Sequence, residues 1–179
     1  MKTTVYVGTS LDGFIARKDG DIDWLVKYQN KEVHDSYNEF ISRIDAMVIG
    51  RGTFEKVLSF PEWPYEKKVF VLSTSLKQIP GTLNEKVTLV AMKPAALLNY
   101  LSDKGFSNIY VDGGKVIQSF LKANLIDELT ISTVPVLIGS GIPLFGYLKT
   151  DVQFKHIRTL TGSNGLVRSY YQKIISPAL

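Results

Sequence analysis

An α/β domain with a mixed sheet is the fold class this sequence predicts, and three observations predict it. Up to Asn124, short β-branched runs alternate with helical patterns, and repeated β-then-α units imply right-handed crossovers, a mostly parallel central sheet and helices on both faces. Beyond Asn124 the runs "DELTISTVPVLIG", "VQFKHIRTL" and "LVRSYYQKI" alternate their faces, which calls for antiparallel pairing and adds at least one antiparallel C-terminal strand. The chain has 179 residues, 45% hydrophobic and 21% charged, suited to a single domain over 1–179 with its own core.

The elements follow in order. "TTVYVG" is the first strand. "VHDSYNEFISRI" places Val33, Tyr37, Phe40, Ile41 and Ile44 on one helical face, the spacing of a helix packed on a core. "AMVIG" is a strand, "TFEKVL" a short helix, and "KVFVLS" and "VTLV" are strands. "PAALLNYLSDKG" is a helix with Pro94 near its start and Gly105 at its end. "IYVDGGKVIQSFL" is a strand that stops at two glycines and turns directly into a helix.

Composition narrows the chemistry. No cysteine is present, which excludes disulfides and thiolate catalysis. His34 and His156 are the two histidines and have no ligand spacing, so no metal site is expected. The net charge of +4 is mild and its lysines and arginines are scattered, so a small anionic ligand suits the chain better than nucleic acid. No apolar run is long enough for a membrane, and "MKTTVYVGTS" lacks a signal-peptide core. A cytoplasmic protein without membrane contact is the expectation.

Ligands of open α/β sheets bind outside the carboxyl ends of the strands, and three such ends here favour phosphate. One is "VIGRGTFE", with Gly50, Arg51 and Thr53 at the strand–helix junction; the second is "FVLSTSLK", ending in Ser73, Thr74 and Ser75; the third carries Gly113, Gly114, Lys115 and Val116. A cation at a helix start is repelled by the helix dipole. A bound anion reverses that sign, because N–H groups, dipole and side chain then converge on it. Each end alone also reads as an ordinary turn. Their repetition along one edge points to an elongated, multiply phosphorylated ligand such as a dinucleotide. Neither G-x-G-x-x-G nor G-x-x-x-x-G-K-[ST] occurs, so the ordinary Rossmann domain and the P-loop are excluded.

"TSLDGFIARKDGDIDWL", "VIGRGTFE", "VLSTS", "YVDGGKVIQSFLKANLIDEL" and "PVLIGSGIPLF" occur in this order. Together they resemble the dihydrofolate reductase superfamily, closest to the reductase domain of bifunctional riboflavin biosynthesis proteins. The resemblance covers nearly the whole chain. It implies a dihydrofolate reductase-like three-layer α/β/α fold and an NADPH-dependent reductase, usually a homodimer. By the same resemblance Arg51 and Thr53 hold cofactor phosphates. Ser73 and Thr74 lie at the adenosine 2′-phosphate, Gly113 and Gly114 let the pyrophosphate reach the next helix start near Lys115 and Val116, and Gly50 also contacts the cofactor. The segment Leu11 to Trp24 becomes a mobile loop over the nicotinamide, with Ile15 and Ala16 against the ring and Trp24 toward the substrate.

Hydride transfer to a C=N bond requires the nitrogen protonated, which a carboxylate commonly arranges. Glu32, Asp35 and Glu39 of the first helix fall opposite its apolar stripe and read as a solvated face. Asp12 of "SLDG" is therefore the candidate catalytic acid, although an aspartate before glycine also reads as a turn residue. The riboflavin branch often carries a lysine in the first strand where this chain has Tyr6, and no second basic cluster for a ribose phosphate is evident. The leading activity is reduction of a small heterocycle or ribosylated pyrimidine, as by 5-amino-6-(5-phosphoribosylamino)uracil reductase. Dihydrofolate or pterin reduction and a non-catalytic nucleotide-binding protein are the alternatives.

Overall fold

Six parallel strands form the body of the computed structural model, which describes residues 1–174. The strands are β1 (Lys2–Thr9), β3 (Ala46–Gly50), β4 (Lys68–Leu72), β5 (Val87–Val90), β6 (Asn108–Asp112) and β7 (Glu128–Thr133). Two further strands, β9 (Phe154–Thr161) and β10 (Val167–Lys173), complete an eight-stranded sheet in the order β5-β4-β3-β6-β1-β7-β10-β9. β10 runs antiparallel to β7, and β9 antiparallel to β10.

Helices α2 (Lys31–Ser42) and α3 (Arg51–Val57) cover one face; α4 (Pro94–Asp103) and α5 (Gly114–Lys122) cover the other. Strand alternation explains the split. Val48 of β3 and Ile109 and Val111 of β6 point to α4 and α5, where Leu97, Leu101, Ile117 and Phe120 close the core. Met47, Ile49 and Tyr110, one residue out of phase, meet Phe40, Ile44 and Phe54. Right-handed crossovers give the same division, since the chain steps toward the β5 edge through α2 and returns through α4 and α5.

Local chemistry sets the helix ends. The Asn30 side chain caps α2 by accepting the Val33 N–H at 3.0 Å, so the helix starts two residues before the apolar pattern does. Pro94 opens α4, and Gly105, at φ 85°, closes its exit.

Two regions differ from the sequence reading. The run from Glu128 stops being a strand at Thr133, because Pro135 cannot donate to a ladder. The segment from Leu11 to Trp24, expected as a loop, carries regular structure: it contains β2 (Phe14–Ala16) and leads into α1 (Asp23–Val26). β2 pairs antiparallel with β8 (Ile142–Pro143), matching Phe14 with Pro143 and Ala16 with Ile142. Among the described residues no helix is long and apolar enough to cross a membrane.

The sheet core predicts the effect of one truncation. Phe120 is fully enclosed beneath β1 and β6. Phe120→Ala should lower the unfolding free energy by about 3–5 kcal/mol in urea denaturation, with secondary structure retained.

Candidate active site

The crossovers diverge at the carboxyl ends of β1, β3 and β6. From β1 the chain leaves through α2 toward the β5 edge, whereas from β6 it passes through α5 to β7, beyond β1. Such a switch point opens a crevice between strand ends.

Glycines bring its walls together. Gly113 has φ 92°, and a Cβ there would lie 2.5 Å from Thr53 Oγ1; the position excludes a side chain on both counts. A Cβ at Gly50 would come within 3.0 Å of Val116 Cγ2, and one at Gly114 within 2.8 Å of Ile142 Cγ2 and 3.3 Å of Ile15 Cδ1. The ends of β3 and β6, both following helices and the β2–β8 pair thus meet at one place. Helix α5 starts there without a side-chain cap, which leaves its first N–H groups and positive dipole end for an acceptor. Lys115 stands exposed beside them.

Further along the edge, the Arg51 guanidinium donates to Ser75 Oγ at 3.0 Å. The Ser73 hydroxyl accepts the Leu76 N–H at 3.0 Å, and Thr74 is exposed. The structure therefore joins the three strand ends picked out in the sequence into one continuous edge. Ile15 is half-buried at Gly114, while Ala16 is buried and its carbonyl lies against Gly141.

Two expected roles are corrected. Asp12 holds a turn: its carboxylate accepts the Ser10 hydroxyl at 2.6 Å and the N–H groups of Gly139 and Ile138 at 2.8 and 3.3 Å. The Ser10 bond first, with the backbone bonds, lowers its pKa, the wrong direction for a proton donor near neutrality. Trp24 is 3% exposed and packs against Val134 and Leu166, so its ring belongs to a small core and presents no face to a ligand. The first-helix acids do face outward: Asp35 pairs with Lys31 at 2.6 Å and Glu39 with Arg43 at 3.8 Å, and Glu32 accepts the Ser163 N–H.

The acid in the crevice is Asp112, which the sequence reading passed over. It ends β6, immediately before Gly113, on the same strand face as Tyr110. Burial pushes its carboxyl up to about 6, although the Gly113 N–H bond pulls the other way. Its charge in turn raises the pKa of Tyr37, Tyr65 and Tyr110, for all of which burial is the larger cause. Half-buried among phenols at a strand end, Asp112 can hold a proton near neutral pH. An acid directly before the double glycine was the available sign of it.

This architecture is that of the dihydrofolate reductase-like fold. A dihydrofolate reductase from Enterococcus faecalis, solved with NADP(H), superposes with a TM-score of 0.68 at 18% identity, covering 96% of both chains. A Thermotoga maritima diaminohydroxyphosphoribosylaminopyrimidine deaminase/5-amino-6-(5-phosphoribosylamino)uracil reductase does so at 0.76 and 15% identity, covering 97% of this chain and 56% of that longer one. At those identities the likeness concerns the fold. The family follows from closer matches. Residues 2–167 match the model of the RibD C-terminal domain. A structure from Shewanella sp. PV-4, named for riboflavin biosynthesis, shares 41% identity and a TM-score of 0.92 over 98% of this chain and 100% of that one. The chain belongs to the RibD C-terminal domain family, a reductase-type fold.

Two measurements test the geometry. Gly113→Ala should destabilise the protein by about 1–3 kcal/mol in thermal unfolding, and adding Thr53→Ala should recover only the steric part, leaving the cost of the positive φ. Asp112 ionises near 6 when folded against an ordinary value of 3.8, so the native state binds the extra proton between these values. Stability from this group is present below about 4 and is lost as pH rises through about 6. Asp112→Asn should accordingly be about 2–3 kcal/mol more stable than the parent at about pH 8, and the gain should vanish at about pH 4; urea denaturation at both values checks this.

Proposed function

We propose that this protein is an NADPH-dependent reductase acting on a small heterocycle or ribosylated pyrimidine, by a reaction of the 5-amino-6-(5-phosphoribosylamino)uracil reductase type. The observation that carries the reading is the meeting of a glycine-lined, uncapped helix start with a raised carboxyl, Asp112, one residue away from it. Membership in the RibD C-terminal domain family supports it.

The residues present fit the cofactor. The space that a Cβ at Gly113 would fill allows a pyrophosphate to approach the N–H groups of α5. Arg51, Ser73 and Thr74 offer donors for a 2′-phosphate, and Thr53 a hydroxyl between the two. Ile15 and Ala16, on the β2–β8 pair, give an apolar cover that excludes water near a nicotinamide. When bound, NADPH supplies the hydride.

The chain itself supplies the proton. Asp112 holds it at a carboxyl oxygen and donates it to the substrate atom that gains basicity during reduction. The surrounding tyrosines keep the site poorly hydrated, which raises the carboxyl into the working range. Folate reduction is less favoured, because Glu32, Asp35 and Glu39 are exposed and engaged by Ser163, Lys31 and Arg43. The non-catalytic alternative gives no reason to keep an acid desolvated at the strand end.

We also propose a homodimer contact beside the β2–β8 pair, at the carboxyl end of β1. There Leu11 and Phe145, 61% and 50% exposed, border a hollow with Ile131 and Tyr171, and exposed apolar side chains concentrate at interfaces. A cytoplasmic setting completes the reading.

Titration with NADPH, followed by tryptophan quenching, tests the proposal. Saturable binding is expected, with NADH weaker and Arg51→Ala weakening NADPH by about tenfold or more; no saturable binding of either nucleotide would overturn it. With a turned-over substrate, the reduction rate should fall as pH rises above about 6, and Asp112→Asn should abolish that dependence together with most of the rate. Sedimentation should give a dimer.

A further inference from the structure

Arg168 is a buried cation with no counter-ion among the described residues. It lies on β10 and is 7% exposed. Its Nε donates to Ser132 Oγ at 2.9 Å. Among the described residues its terminal nitrogens make no hydrogen bond, and no carboxylate lies within 4 Å of it. The side-chain polar atoms sealed from solvent without a partner are the indole nitrogens of Trp24 and Trp63, so the Arg168 terminal nitrogens retain access to solvent. Enclosing an uncompensated charge is costly, and here one contact offsets it in part: the guanidinium lies over the Tyr6 ring at 5.5 Å.

The surroundings are built toward the same end. Tyr6 is fixed by Ser36, oxygen to oxygen at 3.0 Å, and by stacking on Phe40 at 4.6 Å. One strand further, Arg158 lies over the Tyr170 ring at 4.3 Å. Tyr6, Ser36, Arg158 and Tyr170 line a cavity of about 410 Å³ between α2 and the β10–β9 strands. Its other cations are neutralised, Lys2 by Glu128 at 2.7 Å and Arg43 by Glu39 at 3.8 Å. The positive excess is therefore confined to the β10–β9 side. A guanidinium placed over a ring spends no N–H group on that contact, and its free fork matches a carboxylate or phosphate.

We propose that Arg168, which stands behind the Tyr6 wall of the groove between α2 and strands β10 and β9, binds an anionic group of the substrate beside that ring, with Arg158, which lines the groove itself, adding positive charge. Tyr37 links this groove to the acid: it packs edge-on against Tyr6 at 5.9 Å and feels the charge of Asp112. The substrate is then a flat heterocycle with a carboxylate or phosphate at the end away from Asp112. That the anion belongs to a substrate rests on the reductase reading; the site itself does not.

The test uses Arg51→Ala protein, so that phosphate has no site at the expected 2′-phosphate position. Its thermal unfolding is followed during titration with inorganic phosphate and, separately, with benzoate, at constant ionic strength. One of the two anions should raise the melting temperature, and which one does assigns the group as phosphate or carboxylate. Adding Arg168→Met should raise the anion concentration needed by about tenfold or more, while leaving the anion-free protein equally or more heat-stable. Arg168→Lys, which keeps the charge and loses the fork, should fold normally and weaken the response; it decides the matter if the methionine variant does not fold. An unchanged response in the Arg168 variants, or none in the parent, would overturn the proposal in favour of a brace for Tyr6 and Ser132. NADPH titration of Arg168→Met separates the two readings. With Arg51 intact, unaltered NADPH binding together with a lost anion response supports both, whereas an Arg168-dependent anion response without NADPH binding by the unmutated protein keeps this site and removes the reductase.

Discussion

Everything in the crevice depends on how closely β3 and β6 approach where they end. Gly113 is packed so tightly on Thr53 that no side chain fits between them. That contact fixes the start of α5 beside the start of α3 and sets Asp112 at its depth. Parallel strands point their carboxyl ends, and the helix starts that follow, to the same edge. One edge therefore gathers positive dipole ends and free N–H groups, and the side chains added to it, Arg51, Ser73 and Lys115, only extend that polarity.

The two sides of the crevice use opposite physics. On the α5 side, exposed cations and uncapped backbone offer a hydrated, positive surface. On the α2 side, Tyr6, Tyr37, Tyr65 and Tyr110 form a poorly hydrated wall in which a carboxyl keeps its proton to a higher pH than usual and an arginine lies without a counter-ion among the described residues. Charge attraction governs the first side and desolvation the second, so salt should affect them unequally.

The fold was legible in the sequence because it rests on short-range periodicity. Val5 and Val7 against Tyr6, or Ile109 and Val111 against Tyr110, announce a two-faced sheet within a few residues. The polar face of α2 was legible for the same reason. Residues whose meaning depends on distant neighbours were not. Asp112 draws no notice until Tyr37 and Tyr65 are brought to it. Arg168 falls on the polar side of an alternating strand and reads as solvated, yet Tyr6, far away in the chain, covers it. Trp24 looked like part of an open loop until Val134 and Leu166 closed over it. Asp12 was noticed, but its partners, the N–H groups of Ile138 and Gly139, lie 126 and 127 residues away.

That last separation has a consequence for how the molecule comes into being. The cover over the crevice is held at its near end by Asp12 and along β2 by β8, so both fastenings come from the chain beyond residue 137. β1, which carries the cover, likewise pairs only with β6 and β7, strands that begin at Asn108 and Glu128. Closing such long loops is slow compared with local helix formation. During synthesis the N-terminal strand therefore waits, unpaired, until most of the protein has left the ribosome. The site is assembled late, and a chain cut short anywhere before β8 would have strands and helices but no closed crevice.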